Sequence, residues 1–462
     1  VQFVCCVCLC AQAAAATDSP CDPVVEALGS GVDGPVRAIA SVRRGDAYQL
    51  YIAGKFNTAG GELMNNIAMW DGVGWNAYRF LPFEPPTIGV PGSRGISALE
   101  PIPNPFDPKS PDEFIMLGGD LLLGDSDSVR VFFPMEASIT GSPVPQFDTE
   151  VQGFGICDIA FGPVGGTSTF ALAGDFSAVN GEPIERIAQR STILEADWQS
   201  VVNSSFASGS VACVEFIDDK AFGAGLYFSG LFERPGIDGP ICNSICRWDG
   251  EAFYPLDSGL TGPVGAPSPA TTMTFGDIGE GPSLYVAGTF TLAGAAEANG
   301  IARWDGSAWH ALGGGRPPLL GQPSVSALAI FDDGSGPALY AAPAFPGPIA
   351  RWDGEQWQDF SAESDGTVYT MAVHDDGSGE ALYVGGDFAV IGDTEVSGIA
   401  RIRGCAAPCP GDVTSDGTVD LADLNLVLAN FGQTTTDGDT DGDGVVNLID
   451  LNAVLANFGS AC

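Results

Sequence analysis

Two segments near the end of the chain repeat one spacing of oxygen-bearing residues. The first is Asp412-Val-Thr414-Ser-Asp416-Gly417-Thr418-Val-Asp420-Leu-Ala-Asp423; the second is Asp439-Thr-Asp441-Gly-Asp443-Gly444-Val445-Val-Asn447-Leu-Ile-Asp450, 27 residues later. Oxygen-bearing side chains fall at positions 1, 3, 5, 9 and 12, and position 7, Thr418 or Val445, adds a backbone carbonyl. A hard dication takes six to eight oxygens at about 2.3–2.6 Å, and a short loop converges on it only by turning where positive φ is tolerated. Gly417 and Gly444 stand at that turn. The expected chemistry is calcium binding, one ion per loop and two in all.

The elements that must hold these loops follow them. Leu421, Leu424, Val427, Leu428 and Phe431 after the first loop, and Leu448, Leu451, Val454, Leu455 and Phe458 after the second, recur at helical spacing. Gly432 and Gly459 then suit a left-handed cap. No entering helix precedes either loop, so the unit is loop plus helix, duplicated. This arrangement resembles the dockerin family, calcium-dependent modules that attach secreted bacterial proteins to a partner or a cell surface, over residues 405–462. The resemblance implies an anchoring protein or cell-surface component as partner. Where dockerins of the cellulosome type often carry Ser-Thr at positions 10 and 11, this chain has Leu421-Ala422 and Leu448-Ile449. Position 3 is Thr414 in the first loop and Asp441 in the second, so the second is expected to bind calcium more tightly. Thr414→Asp should tighten the first site in a calcium titration of the full chain; an unchanged affinity contradicts the assignment.

The 462 residues carry a net charge of −40. Nucleic acid and anionic membrane both need a basic surface, so neither is an expected partner. Nine of the acids are the Asp residues from Asp412 to Asp450, in a stretch without Lys or Arg; two Ca²⁺ would neutralise less than half of that local charge. Residues 1–16 are apolar and end in an Ala run, which reads as a secretory signal, too short to span a bilayer, for which about 20 residues are needed. The expected location is therefore extracellular, secreted or attached to a cell surface. The remaining cysteines are an even set, for which disulfides are the default in an exported chain. The expected pairs are Cys409–Cys462, Cys21–Cys405, Cys157–Cys213 and Cys242–Cys246. Only two histidines exist, His310 and His374, and no zinc pattern forms around either.

The body, residues 17–404, repeats itself. Leu284-Tyr-Val-Ala-Gly-Thr-Phe290, Ile301-Ala-Arg-Trp-Asp-Gly306 and Ala308-Trp-His-Ala-Leu-Gly313 have counterparts along the chain, and the first phrase occurs seven times if Phe114–Asp120 is included. From Phe176 its terminal Phe recurs at Phe232, Phe290, Phe345 and Phe388, a period near 50 that points to propeller blades. Short runs rich in Val, Ile, Tyr and Phe, punctuated by Gly and Pro, read as four strands per unit. The Gly-rich strand, the Trp-Asp-Gly turn and the following Trp resemble the kelch repeat. The implied fold is all-β, a seven-bladed propeller, with Trp70/Trp75, Trp304/Trp309 and Trp352/Trp357 packing blade against blade. The last repeat stops at Ile402 without a fourth strand, while Val24–Gly31 copies the fourth-strand phrase before any first strand. The N-terminal segment is therefore expected to complete the last blade, with a helical calcium module behind it.

No Gly-x-Ser-x-Gly elbow, phosphate loop or His-Glu-x-x-His pattern occurs. With 58 acidic residues, paired carboxylates alone identify no glycosidase. No catalytic or cofactor-binding residue is assigned, and both histidines are expected to be ordinary surface or strand residues. The reading is a secreted, non-enzymatic recognition or structural protein whose body binds a protein or polysaccharide. The alternative is an extracellular glycoside hydrolase or lyase carrying a dockerin.

Overall fold

The computed structural model describes residues 23–459 except 46, 78, 81–86, 89–94, 104–112, 121–128, 133–148, 192–196, 203–208, 237–238, 314–324, 361–362, 378, 405–410, 415–417, 436 and 441–443. The fold is all-β apart from two tail helices and one short 3₁₀ turn among the described residues. The repeat phrases become antiparallel sheets, each linked by tight Gly-containing turns. The first sheet runs Val36–Arg44, Ala47–Gly54, Ile67–Trp70 and Trp75–Ala77. Its counterparts begin at Ser210–Ile217, Ala270–Gly276, Val325–Asp332 and Thr367–Asp375, each followed by its neighbour in sequence.

Between the first sheet and that of Ser210–Ile217 lies one sheet of seven strands rather than two of four. The cause is the strand Thr149–Val164. Its start pairs with Val129–Phe132 as the last strand of one unit, and its remainder pairs with Thr167–Val179 as the first strand of the next. Register breaks at Gln152/Gly153 and Gly153/Ile156, with Gly153 at φ 135° and Gly155 at φ 106°, turn the strand between the two roles.

The last sheet bears out the expected pairing of the N-terminal segment with the last repeat. Val24–Ala27 lies antiparallel to Ile399–Arg403, with Val24 opposite Arg403 and Ala27 opposite Ala400. Glu26 then receives Arg401 at 2.6 Å and Arg403 at 3.1 Å, so a charge pair reinforces the ladder.

Apolar burial runs from sheet to sheet. Leu28, Val36 and Trp70 cluster with Tyr383 and Ile399, joining the first sheet to the last. Ala40, Tyr51 and Ile67 cluster with Ile96 and Ile115, and comparable clusters join each later unit to its successor. The repeat tryptophans do what their spacing implies. Trp75, Trp309 and Trp357 donate their indole N–H to the carbonyls of Leu28, Leu256 and Leu312, each in the preceding unit, at 2.9–3.0 Å. The adjoining Asp shapes the turn: Asp353 Oδ1, for example, accepts the N–H groups of Glu355 and Gln356 at 2.8 Å.

In the tail, α1 spans Leu421–Asn430 and α2 spans Leu448–Ala456. Asp420 and Asn447 cap them, each in a reciprocal capping box with the Asp three residues on. Gly432 and Gly459 adopt φ 80° and 89° after the helices, as a left-handed cap requires. The apolar stripes are used only in part. Val427 and Val454 are buried with Val419 and Val446, whereas Leu421, Leu428, Leu448 and Leu455 are more than half exposed.

Of the expected disulfides, Cys242–Cys246 is formed. Cys157–Cys213 is not: both are free. Their strands belong to neighbouring sheets, but the Cys213 thiol turns to the Ala270 carbonyl of the following sheet while Cys157 is exposed. Cys21, Cys405, Cys409 and Cys462 lie outside the described residues, as does the expected signal segment.

Candidate functional site

The first tail loop is organised around Asp423, whose side chain is fully buried. Its Oδ1 accepts the Thr414 N–H at 3.0 Å and hydroxyl at 2.9 Å, and its Oδ2 accepts the Asp420 N–H at 2.8 Å. Burial works against the charge, but these donors outweigh it and hold the Asp423 carboxyl below the usual carboxylate range. Asp412 Oδ1 lies 3.4 Å from the Thr414 hydroxyl, so positions 1, 3 and 12 converge. Asp420, at position 9, accepts the Ala422 N–H at 2.6 Å as the cap of α1.

The second loop repeats the plan on Asp450, also fully buried. Oδ1 accepts the Thr440 N–H at 2.6 Å and hydroxyl at 3.0 Å; Oδ2 accepts the Asn447 N–H at 2.7 Å. Asp439 Oδ2 accepts the N–H of Gly444, whose φ of 82° is the turn the sequence called for. Asn447 caps α2 through the Ile449 N–H and donates to the Val445 carbonyl. Thr418 and Val445 are exposed mid-loop. Asp416, Asp441 and Asp443 lie outside the described residues, and among those described no three His, Cys, Asp or Glu side chains group closely enough for a metal. The donor set fits calcium in kind, since every side chain that converges brings oxygen and none brings sulfur or imidazole.

The loops also brace each other. The N–H of Gly432, after α1, donates to the carbonyl of Val446 in the second loop, and that of Gly459, after α2, donates to Val419 in the first, both at 2.7 Å.

A second feature could not be read from spacing. The first strand of each unit, Val36–Arg44, Gly95–Pro103, Thr149–Val164, Ser210–Ile217, Ala270–Gly276, Val325–Asp332 and Thr367–Asp375, lines one cavity of about 380 Å³. Each strand breaks register at a corresponding place, as at Val36/Ala38, Ser97, Val325/Ala327 and Val368/Thr370. The residue at the break often ties the next unit: Ser97 donates to the Ile156 carbonyl at 2.6 Å, Ser326 to Val368 at 2.5 Å and Thr271 to Val325 at 3.3 Å. Three carboxylates stand in the same wall. Glu100 accepts the Phe161 N–H at 3.1 Å and Asp158 accepts the Val214 N–H at 2.9 Å, each reaching the following unit. Burial pushes Asp158 up to about 7 against the pull of its two N–H donors. Burial and then the Asp158 charge push Glu215 up to about 8, and burial with both acid neighbours drives Glu100 well above the carboxylate range. The buried Cys213 thiol is raised too, chiefly by burial, which keeps it protonated and a poor nucleophile.

The histidines divide. His310 Nε2 pairs with Asp305 at 2.6 Å on the surface, as expected of an ordinary strand residue. His374 is instead 2% exposed. The arginine of the repeated Ile-Ala-Arg phrase also has a role the sequence left unassigned: Arg351 pairs with Asp333, and Arg401 with Asp376, the second acid of each Asp-Asp-Gly-Ser-Gly turn.

No protein-family description matches the chain, and no curated protein does. Among solved structures, the extracellular domain of BT4673 from B. thetaiotaomicron is similar in two cases, described as a one component system in one and a hybrid two component system in the other. Identity is 9% in both, with TM-scores of 0.45 and 0.44. The matches cover 82% of this chain and 39% of those, so the chain spans about two-fifths of the structures it resembles. Likeness at this level decides neither fold nor function.

Proposed function

We propose that the chain is a secreted recognition or structural protein rather than an enzyme. Its body, residues 17–404, is a kelch-like seven-bladed propeller that binds an extracellular protein or polysaccharide. Its tail, residues 405–462, is a dockerin-like module held by two calcium ions that anchors the body to a partner protein or cell surface. The observation that carries this reading is the pair of braced loop–helix units with Asp423 and Asp450 turned inward. Asp412, Thr414, Asp416, Asp420 and Asp423, with the Thr418 carbonyl, would hold one ion; Asp439, Asp441, Asp443, Asn447 and Asp450, with the Val445 carbonyl, the other. Bound calcium would neutralise loop charge and tie each loop to the start of its helix. Support for the propeller comes from the sheet-to-sheet apolar clusters, the cavity bordered by all the first strands, and the pairing of Val24–Ala27 with the last repeat.

One observation favours the enzymatic alternative. Glu215 and Asp158 would each be partly protonated near neutrality in the cavity wall, a property of general acids in glycoside hydrolysis. A glycan array probed with the full chain, scored for binding and for released product, separates the readings. Retention without product, unchanged in Glu215→Gln, is the expected result. Product formed by the native chain and lost in Glu215→Gln would establish the hydrolase.

A further inference from the structure

His374 sits where the last sheet meets the first. It lies in Thr367–Asp375, and its Nδ1 is 2.8 Å from the Ser41 hydroxyl oxygen in Val36–Arg44, 333 residues away in sequence. The Tyr383 ring packs against it at 5.3 Å in an edge-on contact. Nε2 is buried and has no hydrogen-bond partner among the described residues. Either tautomer leaves that nitrogen alone. If Ser41 donates to Nδ1, the Nε2 proton has no acceptor; if Nδ1 donates to Ser41, the Nε2 lone pair is buried without a donor.

A second proton would place a full charge in this site and remove the acceptor that the Ser41 hydroxyl can use. The charged groups that face the ring are Asp375, next along the same strand, and Asp376 in the turn beyond. Asp376 is already engaged, taking the Tyr383 hydroxyl at 2.9 Å and Arg401 at 2.5 Å. From the first sheet the ring meets the neutral Ser41. Burial therefore outweighs the pull of Asp376 and Asp375, and the imidazole lies below its ordinary value.

We propose that His374 is a pH-sensitive latch between the first and last sheets: neutral, it holds Ser41 across the seam; protonated, it leaves the buried site and the seam loosens. A histidine depressed in the folded state binds fewer protons folded than unfolded. Its contribution is complete above the unfolded value of about 6.5 and is lost as pH falls from there through the folded one.

The chain holds only two histidines, so its imidazole NMR signals are assignable with His310→Gln. His374 should titrate below 6.5. Over that range, amide exchange corrected for its intrinsic pH dependence should rise in Val36–Arg44 and Thr367–Asp375, by about tenfold for each unit of depression, and not in Ala270–Gly276. In His374→Phe the rise should vanish. Should that variant not fold, Ser41→Ala should show raised seam exchange at pH 7.5 that converges with the native chain at pH 5. Titration at or above 6.5, seam exchange that does not change with pH, or an equal rise in His374→Phe overturns the proposal, as does a Ser41→Ala difference that persists at pH 5.

Discussion

A chain that begins at Leu28 is expected to lose several kcal/mol of stability and to associate. Without Val24–Ala27, the strand Ile399–Arg403 becomes an open edge, its ladder partners gone. At about 1 kcal/mol for each hydrogen bond returned to water, and with Arg401 and Arg403 deprived of Glu26, the loss is on the order of 4 kcal/mol. That is a large part of the 5–15 kcal/mol typical of a folded protein. The thermal midpoint should fall by at least about 5 °C. Light scattering should detect association through the new edge, since unpaired strand edges invite pairing with another chain. Glu26→Gln, which keeps the strand and removes only its charge, should cost far less because the pair is partly solvated. A truncated chain that melts with the full one and stays monodisperse would show that the N-terminal strand does not close the body.

The second large effect is expected in the tail, from Asp450→Ala. The substitution takes one buried acceptor from the Thr440 N–H, the Thr440 hydroxyl and the Asn447 N–H together. Each buried group left unpaired costs about 1–3 kcal/mol. The apolar core that must absorb this is four buried valines with a few partly buried neighbours. Loss of the α1 and α2 signal in circular dichroism, in calcium or without it, is the expected result, with the β signal of the body unchanged. Asp450→Asn keeps an acceptor oxygen and should fold while needing more calcium. Chelation of the native chain should likewise reduce helicity. Helical signal and calcium binding that survive Asp450→Ala would rule out the inward carboxylate as the loop's organiser.

Much of the architecture was legible because its determinants are local. Turn glycines, the Asp of each Trp-Asp-Gly turn and the capping residues act within a few positions, so their spacing carries their role. The repeat that holds Phe345 shows this: the four strands expected of each unit occur as Val325–Asp332, Pro337–Pro343, Ala350–Trp352 and Trp357–Asp359. The pairing of Val24 with Arg403 is distant in sequence, yet a displaced copy of a repeated phrase betrayed it. The cavity carboxylates left no such trace. Glu100, Asp158 and Glu215 come from three separate repeats, without a shared motif, and become neighbours only when the first strands gather. Cys157 and Cys213 illustrate the converse. They occupy neighbouring strands, but the register break beside each decides which way its side chain points, and an alternating pattern does not record that. His374 was read as ordinary because nothing around it in sequence announces Ser41. The helical stripes had the right period but overstated burial, since only one valine per helix is fully covered.

The crossed bonds from Gly432 to Val446 and from Gly459 to Val419 give the tail an interlock. Each helix is fastened at its far end to the other half's loop, so neither half can relax while its twin stays rigid. A disturbance entering at one loop thus reaches the other through short backbone links. The tail stands or falls as a single mechanical piece despite its duplicated origin.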